Sequence, residues 1–271
     1  MKKVLTASLV LFSLTVTAPA QEWAKERLAK SPRHQEWVQV KNGDRTVFAY
    51  IVYPEVKTKA PAVVVIHEIY GLTEWVETVA DQLAEAGYIA IAPDLLSGMG
   101  PNGGRTKDIP PDKVRDAFAT LPPDQITADL NAVADYVKKL PAANGKLAVG
   151  GFCWGGSQTF RFATNRSDLS AALVFYGTGP DKKEDIARIK TSVYGFYGEN
   201  DARVDATIPT SEGLMKEAGK FYEPVIYKGA GHGFMRAGED PTAQGPAVGA
   251  NKAARDEGWV RVKEILKKKF N

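Results

Sequence analysis

The apolar positions of this chain fall into short unbroken runs separated by amphipathic stretches. Ala62, Val63, Val64, Val65 and Ile66 follow the linker 57–61 and form a continuous, mostly β-branched run. Such a run reads as a strand buried on both faces of a parallel sheet. Trp75, Val76, Val79, Ala80, Leu83 and Ala84 then recur at helical spacing, with Thr73 as cap and Gly87 as stop. Tyr88 to Ala92 supplies the next strand, and Ile126, Leu130, Val133 and Val137 line one face of another helix. Leu147, Ala148 and Val149 read as a further buried strand, and more strands are expected at 171–176, 192–197 and 222–227, with a closing helix over 252–269. Ahead of these, Trp37 to Val40 and Thr46 to Tyr53 are rich in β-branched and aromatic residues, and Asn42, Gly43 and Asp44 between them predict an antiparallel hairpin. Strands alternating with helices predict an α/β fold, a mostly parallel doubly wound sheet flanked by helices. The glycine- and proline-rich segment 93–111 is long for a connection inside a domain, a length that marks function or mobility.

The first 20 residues follow a different pattern. Lys2 and Lys3 precede a mainly apolar stretch from Val4 to Val16, and Ala18, Pro19 and Ala20 offer small residues where a signal peptidase reads. The stretch predicts a secretory leader cleaved before Gln21, since its apolar run is shorter than the ~20 residues of a membrane span. The expected organisation is a leader over 1–20, an N-terminal extension over 21–36 forming a short surface helix or arm, and one catalytic domain over 37–271. A periplasmic or secreted location follows. Loss of the leader removes Lys2 and Lys3 and no acidic residue, lowering the formal charge from +3 to +1. A nearly neutral protein offers no argument for nucleic acid or a membrane surface as partner. With one cysteine the chain forms no internal disulfide, and a free thiol in an oxidising compartment favours a chemical role for it.

That cysteine stands in Gly151, Phe152, Cys153, Trp154, Gly155, Gly156, between the strand ending near Val149 and a stretch from Ser157 to Ala163 that can continue as a helix. Glycines on both sides suit a sharp strand-to-helix turn, and with serine at the tip this would be a nucleophile elbow. Ligands in parallel sheets bind beyond the carboxyl ends of the strands. Two such ends carry partners for a thiol: Gly198, Glu199, Asn200, Asp201, and Gly229, Ala230, Gly231, His232, Gly233, Phe234. The order nucleophile, acid, histidine resembles the α/β-hydrolase triad, with Asp201, Glu199 and Asp205 as rival acids. His34 precedes the sheet and reads as a surface residue. Three histidines and one cysteine give no clustered ligand set, so neither metal nor organic cofactor is expected.

The motifs His67-Glu68-Ile69-Tyr70-Gly71, Gly151-Phe152-Cys153-Trp154-Gly155-Gly156, Gly198-Glu199-Asn200-Asp201 and Gly231-His232-Gly233-Phe234 together resemble the dienelactone hydrolases, or carboxymethylenebutenolidases, over residues 62–236. The resemblance implies an α/β-hydrolase fold with Cys153 as nucleophile, His232 as base and Asp201 as its orienting acid. It implies that Glu68 contacts the resting thiol and swings away when an anionic substrate binds. The backbone N–H groups of Ile69 and Trp154 would form the oxyanion hole, and Arg236 would hold a substrate carboxylate. The family's second carboxylate-binding arginine has two candidates, Arg115 and Arg105, of which Arg115 joins Tyr70 among the expected substrate contacts. His67 stands where the best-known members have glutamine, and Trp154 is bulky beside the nucleophile. The expected activity is hydrolysis of a small ester or lactone, anionic in the family's pattern, through a thioester. The alternatives are a broad carboxylesterase, a silent binding protein on the same fold, and a thiol redox sensor, which would need only an exposed, acidified Cys153.

Overall fold

In the computed structural model, which describes residues 21–271, the apolar runs become the strands of one eight-stranded sheet. The predicted leader lies outside the described residues. In chain order the elements are α1 (Glu22–Lys30), β1 (Gln35–Asn42), β2 (Arg45–Val52), β3 (Ala60–Ile66), α2 (Glu74–Glu85), β4 (Ile89–Pro93), α3 (Val114–Ala119), α4 (Pro123–Lys139) and β5 (Ala143–Phe152). They continue with α5 (Trp154–Asn165), β6 (Ala171–Phe175), α6 (Lys183–Ala187), β7 (Val193–Gly198), α7 (Ala202–Asp205), α8 (Ile208–Glu217), β8 (Tyr222–Tyr227), α9 (Phe234–Ala237) and α10 (Val248–Phe270).

The sheet order is β1-β2-β4-β3-β5-β6-β7-β8, with β3 to β8 parallel and the β1–β2 hairpin antiparallel at one edge. The hairpin turns at Gly43 and Asp44, with Asn42 paired to Arg45 and Gly43 at φ +58°. Each central strand is apolar throughout because both of its faces are covered. Val64 and Ile66 pack into the core beneath α4 and α5, whereas Val63 and Val65 pack into the core beneath α2 and α10. The chain winds from β3 out to β4, then returns past β3 to β5 and continues the other way. The direction of winding therefore reverses between β3 and β5, and a crevice opens beyond their carboxyl ends. The residues that follow those ends are His67, Glu68 and Ile69 on one strand and Cys153 on the other.

Three aromatic rings floor this end of the sheet. Phe152, Phe175 and Phe196, at or near the ends of β5, β6 and β7, stack with centroids 4.6 and 4.2 Å apart. The segment 93–111 is folded back on itself by short 3-10 turns at Pro101–Gly103 and Thr106–Asp108. The buried Asp94 accepts hydrogen bonds from the Thr106 N–H and hydroxyl and from the Leu96 N–H. Among the described residues no helix is long and apolar enough to cross a membrane.

Candidate active site

Cys153 sits between β5 and α5 with φ +57° and ψ −117°, a conformation that residues with a Cβ rarely adopt. Its N–H is bonded to Phe175 O at 3.0 Å, so the turn is held by the neighbouring strand. The flanking glycines are there for space. A Cβ on Gly151 would meet Gly155 O at 2.3 Å, and one on Gly155 would meet His67 O at 2.3 Å and Ile66 O at 2.4 Å. Helix α5 thus starts almost against the backbone of β3, which brings its first amides to the crevice.

The loops after β7 and β8 supply the partners. His232 Nε2 lies 3.1 Å from Cys153 Sγ, and its Nδ1 is bonded to Asp201 Oδ2. Asp201 is buried at the start of α7, whereas about a third of the His232 side chain, 34%, is exposed. Partial burial pulls the imidazole down, but the hydrogen bonds and charges of Cys153 and Asp201 outweigh it and push His232 up to about 9. The rival acids have other work: Glu199 accepts from the Gly229 N–H at 2.8 Å, and Asp205 lies in α7 with its N–H on Asp201 O.

These side chains open onto a cavity of about 470 Å³ whose wall includes Glu68, Ile69, Tyr70, Arg115, Trp154 and Arg236 beside Cys153 and His232. Ile69 and Trp154 line the same cavity as Cys153, and the Trp154 amide lies in the first turn of α5, where it has no acceptor within the helix. Glu68 departs from the expectation that it contacts the thiol. Its buried carboxylate accepts from Arg236 Nε at 2.9 Å, and the thiol is hydrogen-bonded to His232 instead. The nearby guanidinium is the stronger partner for a carboxylate with little access to water. Tyr70 lies between two cations: Arg115 Nη2 donates to its hydroxyl at 3.2 Å, and the Arg236 guanidinium lies 5.6 Å from its ring centre. Arg105 is absent from the cavity wall and instead stacks on Trp37 with its guanidinium carbon 3.4 Å from the ring centre. His34 is exposed, and no residue of 93–111 lines the cavity.

His67 is fully buried, and burial lowers it below the usual imidazole range, leaving it neutral. Its two nitrogens then have opposite roles: Nδ1 donates to Glu68 O at 2.9 Å and Nε2 accepts from the Leu95 N–H at 3.2 Å. It ties the backbone of Glu68 to the start of the segment after β4. Five cavity residues escaped the sequence reading: Ser157 in α5, Tyr176, Thr178, Arg203 and Val204. Tyr176 and Thr178 lie just beyond the end of β6, and Arg203 lies in α7, the short helix after β7, so the rule that located His232 reaches them too, but no motif marks them. Among the described residues no group of His, Cys, Asp and Glu side chains is arranged to hold a metal ion.

Comparison with known proteins places the chain in a family. A model of the dienelactone hydrolase family matches residues 47–270. A candidate carboxymethylenebutenolidase of Salmonella typhimurium is 32% identical over 228 residues, covering 80% of this chain and 80% of that protein. Its counterpart in Escherichia coli K12 is 32% identical over 218 residues, 76% of each chain. A crystal structure of a candidate dienelactone hydrolase from Klebsiella pneumoniae superposes with a TM-score of 0.72 at 25% identity, covering 85% of this chain and 96% of that one. The mostly parallel sheet with its reversal at β3 and β5 is that of the α/β-hydrolases, and the chain belongs to the dienelactone hydrolase family of hydrolases.

Proposed function

We propose that this hydrolase cleaves esters or lactones through a thioester on Cys153, with a preference for substrates that carry a carboxylate. The observation that carries the reading is the line Asp201, His232, Cys153, with Nε2 3.1 Å from Sγ at the floor of a cavity walled by Arg115, Arg203 and Arg236. With His232 pushed up to about 9, its imidazolium stands beside Sγ at neutral pH, and the attacking species is the thiolate. The thiolate attacks the carbonyl carbon, and the oxyanion is received by the N–H groups of Ile69 and Trp154. Collapse breaks the carbon–oxygen bond, and the imidazolium gives its proton to the departing oxygen. The neutral imidazole then takes a proton from water, whose oxygen attacks the thioester. Collapse releases the acid and returns thiolate and imidazolium. The arginines add positive potential where a carboxylate would dock, and guanidinium offers it two parallel donors.

The pattern of residues 1–20 supports export to the periplasm or medium. One preparation tests both parts: protein taken from the exported fraction, read from its N-terminus and assayed on dienelactone beside neutral aryl esters. The expected result is a chain that starts at Gln21 and turns over both. Cys153→Ala should lose roughly three orders of magnitude or more in kcat. Arg236→Ala should lose the preference for dienelactone while keeping ester turnover. Full activity in Cys153→Ala would sink the thioester route.

A further inference from the structure

Tyr176 follows β6 and is a cavity residue for which the proposed chemistry has no use. Its backbone is held at φ +38°, a conformation costly for a bulky residue, by a hydrogen bond from its N–H to Phe196 O at 2.8 Å. Its ring is buried edge-on against His232 and Phe234, with centroids 5.1 and 5.4 Å away. Its hydroxyl is buried and has no hydrogen-bond partner among the described residues. An orphaned hydroxyl next to an active site is a cost the fold carries unless some other state uses it. Burial holds the phenol well above the usual tyrosine range, with the Glu68 charge adding, Arg236 opposing and Cys153 adding. The hydroxyl is therefore a donor, on a residue that lines the same cavity as Glu68, Cys153 and Arg236.

Glu68 has the complementary problem. It is 3% exposed, and among the described residues the side chain that hydrogen-bonds its carboxylate is Arg236. If Arg236 turns to a substrate carboxylate, Glu68 is left as a buried, unpaired charge, which is among the costliest things a protein interior can hold. We propose that the Tyr176 hydroxyl is the donor that takes over the Glu68 carboxylate when Arg236 is drawn to an anionic substrate, so that Tyr176 acts as a positioning residue for anion selectivity. The inference rests on the proposed preference for carboxylate-bearing substrates. A neutral ester leaves the Glu68–Arg236 pair intact and makes no demand on Tyr176.

The test is Tyr176→Phe, which keeps the ring and removes only the hydroxyl. For dienelactone, kcat/KM should fall about tenfold, mainly through KM, the usual size for a hydrogen bond to a charged group. For 4-nitrophenyl acetate it should stay within about twofold, because no charge is uncovered. The melting temperature should hold or rise, since an unsatisfied buried hydroxyl is gone. In a Glu68→Gln background, where no charge remains to be satisfied, the same change should do nothing further. Equal losses on both substrates, or no loss on dienelactone, would overturn the inference. A wild-type protein that shows no preference for dienelactone would instead overturn the reading beneath it, before any variant is made.

Discussion

His232 links the chemistry of single residues to the stability of the whole chain. Its imidazole lies near 6.5 when nothing surrounds it and at about 9 when folded, because Cys153 and Asp201 outweigh the effect of burial. A group raised on folding binds its proton more tightly in the native state, so its contribution to stability is complete below about pH 6.5 and is lost as pH rises through about 9. Urea unfolding of the wild type should show a stability that declines between those values, and His232→Gln should flatten that part of the profile. An equally steep decline in the variant would assign the effect to other groups. Acylation should fail over the same upper range, since the departing oxygen then finds no proton on Nε2. Glycines and strand ends mark Cys153, Asp201 and His232 in the sequence, and the structure brings these three side chains together. The orientation of Glu68 toward Arg236 was not legible there, because four helical residues and a loop decide where Arg236 lies, and the resemblance alone set Glu68 on the thiol.

At the scale of elements, two helical glycines predict opposite outcomes. Gly155 is in the first turn of α5 with Ile66 O and His67 O inside the space a Cβ would need, and these are backbone atoms that a rotamer change cannot move. Gly155→Ala should push α5 off β3, cost about 1–3 kcal/mol or more, and lower activity by shifting the Trp154 amide. Gly213, within α8, has nothing within 4 Å of where an alanine methyl would sit. Gly213→Ala should stabilise by roughly 0.5–1 kcal/mol through helix propensity and leave turnover unchanged. Thermal and urea unfolding of the two variants measure the contrast, and a stable, active Gly155→Ala would remove the close approach as the reason for that glycine. The long apolar strands were readable because burial on both faces leaves an unbroken run, and β8 falls at Tyr222–Tyr227 as expected. The helices that escaped prediction are short or thinly buried. α7 and α9 span four residues each, too few to show a period, and α8 buries only Ile208, Ser211 and Met215. Helix α10 begins at Val248, four residues ahead of its expected start, in a segment whose alanines and glycines carry no face.

Across the whole molecule, the polar N-terminal segment is fastened to the body by charges that its sequence does not advertise. Gln21 Oε1 accepts from the Trp75 N–H at 2.7 Å, and Arg27 reaches Glu239 at 2.8 Å, a carboxylate that also accepts from Trp75 Nε1 and Gln82. Arg33 clasps Asp81 through Nε at 2.8 Å and Nη2 at 2.7 Å, and Asp81 is 1% exposed. Each contact joins residues about 50 positions or more apart, a separation over which no periodicity or spacing in the sequence can pair them. The Arg33 clasp carries the firmest prediction at this scale. Both charges are largely out of water, with the Arg33 side chain 11% exposed, so their pairing adds little over an apolar contact, but removal of one partner strands the other. Arg33→Ala should therefore destabilise the protein by about 3–5 kcal/mol, with the buried Asp81 charge unpaired and, among the described residues, held only by the Ser31 hydroxyl. Arg33→Ala combined with Asp81→Ala should recover part of that loss, because the stranded charge is then gone. Neither residue lines the active-site cavity, so kcat/KM measured well below the melting temperature should match wild type in both variants. If the single variant were as stable as wild type, α1 and the segment to Arg33 would be a dispensable appendage, and the catalytic body would begin at the hairpin.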